Sequence, residues 1–273
     1  MTRKQDFFSV LLVGDVVGDP GLEVCQRFLP NFCQENKIDF VVVNGENSAK
    51  DGRGLTEKSC GALFSLGVDV ITTGNHVWRH EAFYSYLQKA PNVIRPLNFP
   101  AGTLGKGYCV IEKLGVRVGV INLMGRTFFR EHLNCPFREA ENVLLYLKSC
   151  VDIIIVDFHA EATSEKQALA FYLDGKINAL VGTHTHVQTA DNRILPKGCA
   201  FMGDLGFCGA LNSCLGMATP PVINQYLSQM PARFQVETGR PYVMCGAMIV
   251  FGRDDDGKWS AKKIERVMLQ TEV

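Results

Sequence analysis

The sequence predicts an α/β domain built on a mixed sheet. Short β-branched runs alternate along the chain with longer amphipathic stretches, which is the pattern of strands and helices packed in layers. The apolar runs are continuous, as in strands buried on both faces. Two glycine-containing turns separate further pairs of runs, adding antiparallel strands to the parallel ones. In order, the strands are expected at Phe8–Val13, Phe40–Val43, Val70–Thr72, Val116–Asn122, Ile153–Val156 and Ala179–Val181. Helices are expected at Gly21–Glu35, Thr56–Leu66, His80–Lys89, Phe137–Lys148 and Ser164–Leu173, with Thr56 and Ser164 as N-caps. Hairpins turn at Leu114-Gly115 and at Asp254–Gly257. Residues 203–239 read as loop-rich, suited to an active-site flap or an interface, and the sequence is compatible with a homo-oligomer.

With 273 residues and 47% hydrophobic content, a single domain over 1–273 is expected. Lys+Arg and Asp+Glu balance at 28 each, so no global basic field recruits a nucleic-acid backbone, and no stable nucleic-acid partner is expected. The polar start Met1–Asp6 and the short apolar run Phe7–Val13 fit neither a secretory signal nor a membrane span. The ten cysteines contain no Cys-x-x-Cys pair, so they read as reduced thiols of a cytoplasmic protein, not as disulfides or zinc ligands. Cys208, in the glycine-rich stretch Gly206–Gly209, is the one weighed as a nucleophile, but no histidine lies near it in sequence.

Polar residues gather where the expected strands end: Gly14-Asp15, Asn44-Gly-Glu-Asn47, Gly74-Asn-His76, Asp157-Phe-His159 and Gly182-Thr-His-Thr-His186. In open α/β sheets the ligand crevice lies outside the carboxyl ends of the strands, so these segments should converge. Asp15, Glu46, Asn47, Asn75, His159, His184 and His186 supply the neutral nitrogen and oxygen donors and the carboxylates that a pair of divalent metals requires. With no thiolate among them, iron or manganese fit at least as well as zinc. His184 and His186, two apart in a segment read as extended, should point to one side. The glycines preceding the ligands are expected to supply backbone angles that other residues avoid. Two dications against Asp15 and Glu46 leave roughly two positive charges, so the site prefers an anion.

Read in order, these motifs resemble the calcineurin-like metallophosphoesterase superfamily. Val43-Asn-Gly-Glu-Asn-Ser48, Thr73-Gly-Asn-His76, Asp157–Ser164, Gly182-Thr-His-Thr-His-Val187, Gly203-Asp-Leu-Gly206 and Leu215-Gly-Met217 are similar to its YmdB-like branch over nearly the whole chain. The resemblance implies a four-layer α/β/β/α sandwich and a phosphodiesterase with 2′,3′-cyclic nucleotides such as 2′,3′-cyclic AMP among its substrates. It also implies two metal sites, one of Asp15, Glu46, Asn47 and His186, the other of Glu46, Asn75, His159 and His184, with Glu46 bridging. The wider superfamily's Asp-x-His is Asp15-Val-Val17 here and its bridging Asp is Glu46, changes that the YmdB-like branch shares. A metal-bridging hydroxide would then attack phosphorus, and His76 would protonate the leaving oxygen. The alternative for His76 is a hydrogen bond that orients a ligand.

His80 and His132 read as surface or structural, and Arg126 as either a substrate-phosphate partner or a structural salt bridge. A phosphomonoesterase or protein phosphatase on the same metals, and a regulatory protein that binds metal and nucleotide with little turnover, are the other two functions compatible with these residues.

Overall fold

A computed structural model describes residues 6–272, so most of the polar start Met1–Asp6 lies outside the described residues. The chain folds as two sheets packed face to face. The first holds β1 (Phe7–Val13), β2 (Asp15–Val16), β3 (Phe40–Asn44), β4 (Val70–Thr72), β5 (Val93–Ile94), and the late strands β12 (Phe207–Ala210), β13 (Tyr242–Arg253) and β14 (Trp259–Gln270). The second holds β6 (Tyr108–Lys113), β7 (Val116–Met124), β8 (Ile153–His159), β9 (Ala179–Thr183), β10 (Arg193–Ile194) and β11 (Ala200–Met202). Strands β1, β3, β4 and β5 run parallel in one sheet, and β7, β8, β9 and β11 in the other. The β6–β7 and β13–β14 pairs are antiparallel, so the mixed character is as expected. Leu114 and Gly115 both take positive φ, the conformation of a two-residue hairpin turn, at the position read from the sequence.

The period-two alternation along β1 explains the layers. Phe8, Val10 and Leu12 face the second sheet and pack with Val118, Val120, Ile153, Ile155 and Val181 between the sheets. Leu11 and Val13 face the other way, onto α1 (Gly18–Glu35) and α2 (Glu57–Ser65). The outer face of the second sheet, including Ile121, Ile154 and Val156, is covered by α4 (Pro136–Leu147) and α5 (Thr163–Leu173); α3 (Tyr84–Lys89) and α6 (Thr219–Ser228) complete the helices. Helix, sheet, sheet, helix is the expected four-layer sandwich.

Several boundaries differ from expectation for identifiable reasons. Helix α1 begins at Gly18, just short of one turn earlier than Gly21, because Pro20 is tolerated within the first turn. Thr56 caps α2 as expected, its hydroxyl accepting from the Ser59 amide while Ser59 Oγ accepts from the Thr56 amide. Ser164 is not a cap: α5 starts at Thr163 after Ala162, without a side-chain cap. The stretch expected as one helix from His80 is a 3₁₀ turn, Glu81–Phe83, leading into α3. Strand β8 continues through Asp157 to His159, because its ladder with β7 and β9 persists that far. The loop-rich stretch 203–239 also contains β12 and α6. Helix α6 starts at Thr219 and carries Pro220-Pro221 in its first turn, where proline is tolerated.

Candidate metal centre

The parallel strands bring their carboxyl ends to one edge of the sandwich, and the ligand candidates meet there. Asp15 follows β1, Glu46 and Asn47 follow β3, Asn75 and His76 follow β4, His159 ends β8, and His184 and His186 follow β9. One set closes around His159. Its Nε2 lies 3.0 Å from Asn75 Oδ1, 3.3 Å from Glu46 Oε2 and 3.0 Å from His184 Nδ1. Single donor atoms of Glu46, His159 and His184 fall within 4.8 Å of one another. The other set surrounds Asp15, whose Oδ1 is 3.6 Å from His186 Nε2. Asn47 links this set to the first, with Nδ2 3.1 Å from Glu46 Oε1 and 3.2 Å from His186 Nε2.

Each histidine is held by its rear nitrogen. His159 Nδ1 lies 3.0 Å from Thr183 Oγ1, and Thr183 donates onward to Asp157 Oδ1 at 2.7 Å, so the His159 N–H points back into the protein. His186 Nδ1 donates to the Leu215 carbonyl at 2.9 Å. His184 Nε2 lies 3.1 Å from Glu161 Oε2. Each bond leaves the nitrogen that faces the centre able to present a lone pair, the usual arrangement behind histidine ligands. Asp157 also accepts from Thr72 and Asn44, tying the ends of three strands beneath the centre. Asp204 fixes the loop between the two histidines, accepting from the Thr185 amide at 3.0 Å, and itself pairs with buried Lys166 at 2.8 Å.

The charges describe a site suited to cations. Burial works to raise both carboxyl pKa values, but His186 and His159 hold Asp15 below the usual range, and His159 and His76 hold Glu46 well below it. Burial also opposes charge on His186, yet Asp15 beside it pushes its pKa up to about 9. His184 is lowered to about 3 by burial and by the neighbouring His159. Asp15 Oδ1 is fully buried and, among the described residues, is the only buried side-chain nitrogen or oxygen without a hydrogen-bond partner. A buried carboxylate oxygen left unpaired is costly unless something else satisfies it, and a metal ion would do so. The donor set and this orphaned oxygen fit divalent cations.

Two expectations from the sequence do not hold in the structure. His184 and His186 do not lie in an extended segment. Both take positive φ, 99° and 62°, and their rings go to different sets, His184 beside His159 and His186 beside Asp15. The glycines before the ligands do not serve a left-handed backbone: a Cβ on Gly74 would overlap the Glu46 carboxylate and the His159 ring, and one on Gly182 the Gly203 carbonyl. They are close-approach glycines. Cys208 lies in strand β12, buried, its thiol pKa raised well above the ordinary value by burial and by neighbouring Cys25, so it is not an activated nucleophile. All ten cysteines are free, six of them buried.

His76 Nδ1 is 2.8 Å from Asn47 Oδ1 and 3.2 Å from Glu46 Oε1, while its Nε2 has no partner among the described residues and the ring borders a cleft. As oriented, Asn47 turns its amide nitrogen toward His186 and its oxygen toward His76; oxygen donation to a cation beside His186 requires the amide to turn over. Arg126 is exposed, and its backbone N–H donates to Glu165; its side chain enters neither an ion pair among the described residues nor the clefts at the centre. The cations that do border those clefts are Arg53 and Arg130. His80 Nε2 lies 3.2 Å from Asp51 Oδ1 and 2.9 Å from the Arg53 carbonyl. Asp157, Thr183, Asp204, Lys166 and Glu161 are supporting residues to which sequence reasoning assigned no role. The period of two in a strand, which puts Asp157 on the same side as His159, was a signal for the first.

A profile of the YmdB-like protein family matches residues 11–267. A Bacillus subtilis (strain 168) protein named 2′,3′-cyclic-nucleotide 2′-phosphodiesterase is 44% identical over 260 residues, 95% of this chain and 96% of that one. Among solved structures, a hypothetical protein from Thermus thermophilus superposes with a TM-score of 0.88 at 36% identity, over 97% of this chain and 100% of the other. A protein described as a novel phosphatase from Mycoplasma pneumoniae gives 0.89 at 31% identity, over 98% and 95%.

Proposed function

The chain belongs to the YmdB-like protein family, and from that premise we propose that it is a metal-dependent phosphodiesterase acting on 2′,3′-cyclic nucleotides among other phosphodiesters. The observation that carries this reading is the orphaned Asp15 oxygen 3.6 Å from His186 Nε2, in a cluster whose three histidines His159, His184 and His186 each have the other ring nitrogen tied back. In this reading Asp15, Glu46, Asn47 and His186 would hold one cation, and Glu46, Asn75, His159 and His184 would hold the other. Iron or manganese suit these donors best, and zinc is compatible with them. When bound, such a pair supplies charge neutralisation at the phosphate and an acidified water for attack.

The chain's own residues do the rest. His76 is anchored through Nδ1 by Glu46, and in the orientation seen here also by the Asn47 oxygen, which leaves Nε2 available to give a proton to the departing ester oxygen. Asp157 and Thr183 hold His159, and the Leu215 carbonyl holds His186, so these two histidines need little rearrangement on binding. A diester monoanion suits this charge balance better than a monoester dianion, because Glu131 and Glu161 stand near Arg130 and only Arg53 borders the other cleft. The free thiols agree with a reducing cytoplasm. Among the described residues no helix is long and apolar enough to cross a membrane.

The test combines metal analysis with a hydrolysis panel of bis-aryl phosphate, mono-aryl phosphate and 2′,3′-cyclic AMP. Expected are roughly two metal ions per chain after manganese reconstitution, loss of activity on chelation, and a higher kcat/KM for the bis-aryl than for the mono-aryl ester. One ion or none, or the reverse preference, would overturn the reading in favour of a different site or of a phosphatase.

A further inference from the structure

Two clefts, not one, open onto the ligand cluster, and they touch different halves of it. The larger, about 590 Å³, borders Asn47, His76 and His186 and is walled by Arg53, Met217, Val222, Gln225, Tyr226 and Phe234. The smaller, about 470 Å³, borders Asn75 and is walled by Phe128, Phe129, Arg130, Glu131 and Glu161. His184 is common to both. Each volume lies in the range of about 300–1,000 Å³ typical of small-molecule sites.

Both clefts offer aromatic faces to solvent. Tyr226, on α6, is 77% exposed and Phe128 is 83% exposed, whereas Phe129 is committed to packing on the His184 ring at 4.8 Å between centroids. Phe128 also holds a φ of 69°, a conformation unfavourable for a bulky residue, and sterically strained residues cluster at ligand sites. A 2′,3′-cyclic mononucleotide carries both ester oxygens on one ribose and so has a base for one cleft only. A linear diester carries one sugar on each ester oxygen, which matches a phosphate position flanked by two aromatic clefts.

We propose that this site also hydrolyses linear dinucleoside monophosphates, with one base against Tyr226 and Phe234 and the other against Phe128. The inference rests on the phosphodiesterase reading above and extends its substrate class. Glu131 and Glu161 outnumber Arg130 beside the smaller cleft, so that arm is a neutral nucleoside whose ribose hydroxyls can donate to carboxylates. A terminal phosphate is tolerated only on the arm that meets Arg53. In the reaction, water oxygen bonds to phosphorus and one ester P–O bond breaks. The departing oxygen takes a proton, giving one nucleoside and one nucleoside monophosphate.

The test compares adenylyl-(3′→5′)-adenosine, 2′,3′-cyclic AMP and bis-aryl phosphate with the manganese-loaded protein. Calorimetric binding of the dinucleoside to chelator-treated protein gives a readout independent of turnover. Removing one base-stacking aromatic typically weakens binding by roughly five- to 150-fold. Phe128→Ala should therefore raise KM for the dinucleoside at least about fivefold more than for 2′,3′-cyclic AMP, and Tyr226→Ala should raise both. Calorimetry should report the same loss for the dinucleoside in each variant. Because both side chains are exposed, neither substitution threatens folding. Hydrolysis of bis-aryl phosphate without cleavage of the dinucleoside would overturn the inference and leave the phosphodiesterase reading standing. So would equal effects of Phe128→Ala on both nucleotides. If no diester is cleaved the phosphodiesterase reading itself fails, and absence of Phe128-sensitive dinucleoside binding would then overturn the two-cleft assignment as well.

Discussion

Lys166→Met is expected to destabilise the protein by about 3 kcal/mol and to loosen the metal centre at the same time. Lys166 on α5 and Asp204 are 2% and 1% exposed and lie 2.8 Å apart. At an effective dielectric of about 20 their attraction is about 6 kcal/mol, much of it cancelled by the cost of removing both charges from water. Removing one partner leaves the other's burial cost uncompensated, which typically amounts to about 3–5 kcal/mol. Asp204 keeps the Thr185 and Gly206 amides as donors, which argues for the lower end. The Thr185 amide lies between His184 and His186, so strain on Asp204 is transmitted to both. The assay is urea unfolding of the wild type, Lys166→Met, Asp204→Asn and the double variant, read with metal content. The cycle should be strongly non-additive, with Lys166→Met costing much less once Asp204 is neutral, and metal affinity should fall in Lys166→Met. A loss below about 1 kcal/mol, or full additivity, would refute the claim that this buried pair holds the histidine loop.

Glu46→Ala should release metal and abolish turnover together, while His132→Ala should do neither; normal metal content in Glu46→Ala would remove the bridge assignment. His76→Asn should keep most of its metal and lose roughly 100-fold or more in turnover of a diester with a ribose leaving group, with a smaller loss for a nitrophenolate. Equal losses would reduce His76 to a positioning residue for Asn47 and Glu46. Burial raises the thiols of Cys33 and Cys245 to about 11, and those of Cys60 and Cys109 to about 12, from an ordinary 9.0. Unfolded thiols ionise first, the native state holds more protons, and stability should therefore fall as pH rises from 9 toward 11. Thiolate absorbance that titrates near 9 for every cysteine in the folded protein would contradict that burial.

The sequence by itself determined the strands that carry the site. Continuous apolar runs such as Val41-Val-Val43 and Ile153–Val156 can satisfy their side chains only inside a layered structure, and polar residues at their ends then fall at one edge. Asp15, Glu46, Asn47, Asn75, His159, His184 and His186 were therefore legible as a group. Helix starts were legible where a local bond fixes them, as at Thr56, and missed where none does, as at Thr163.

Only the tertiary structure decided what lies behind and beside those candidate ligands. His159 meets Thr183 from the neighbouring strand, His186 meets a carbonyl 29 residues away, and Asp204 meets Lys166 across 38 residues; none of these pairings leaves a local pattern. The glycine at 74 could be read as a turn because sequence reports backbone freedom, whereas its actual role is the space needed by Glu46 and His159. The larger cleft depends likewise on α6, which supplies Val222, Gln225 and Tyr226 although none of its ten residues is buried. Periodicity records which face of an element is covered, and the identity of what covers it is settled only when distant segments are brought together.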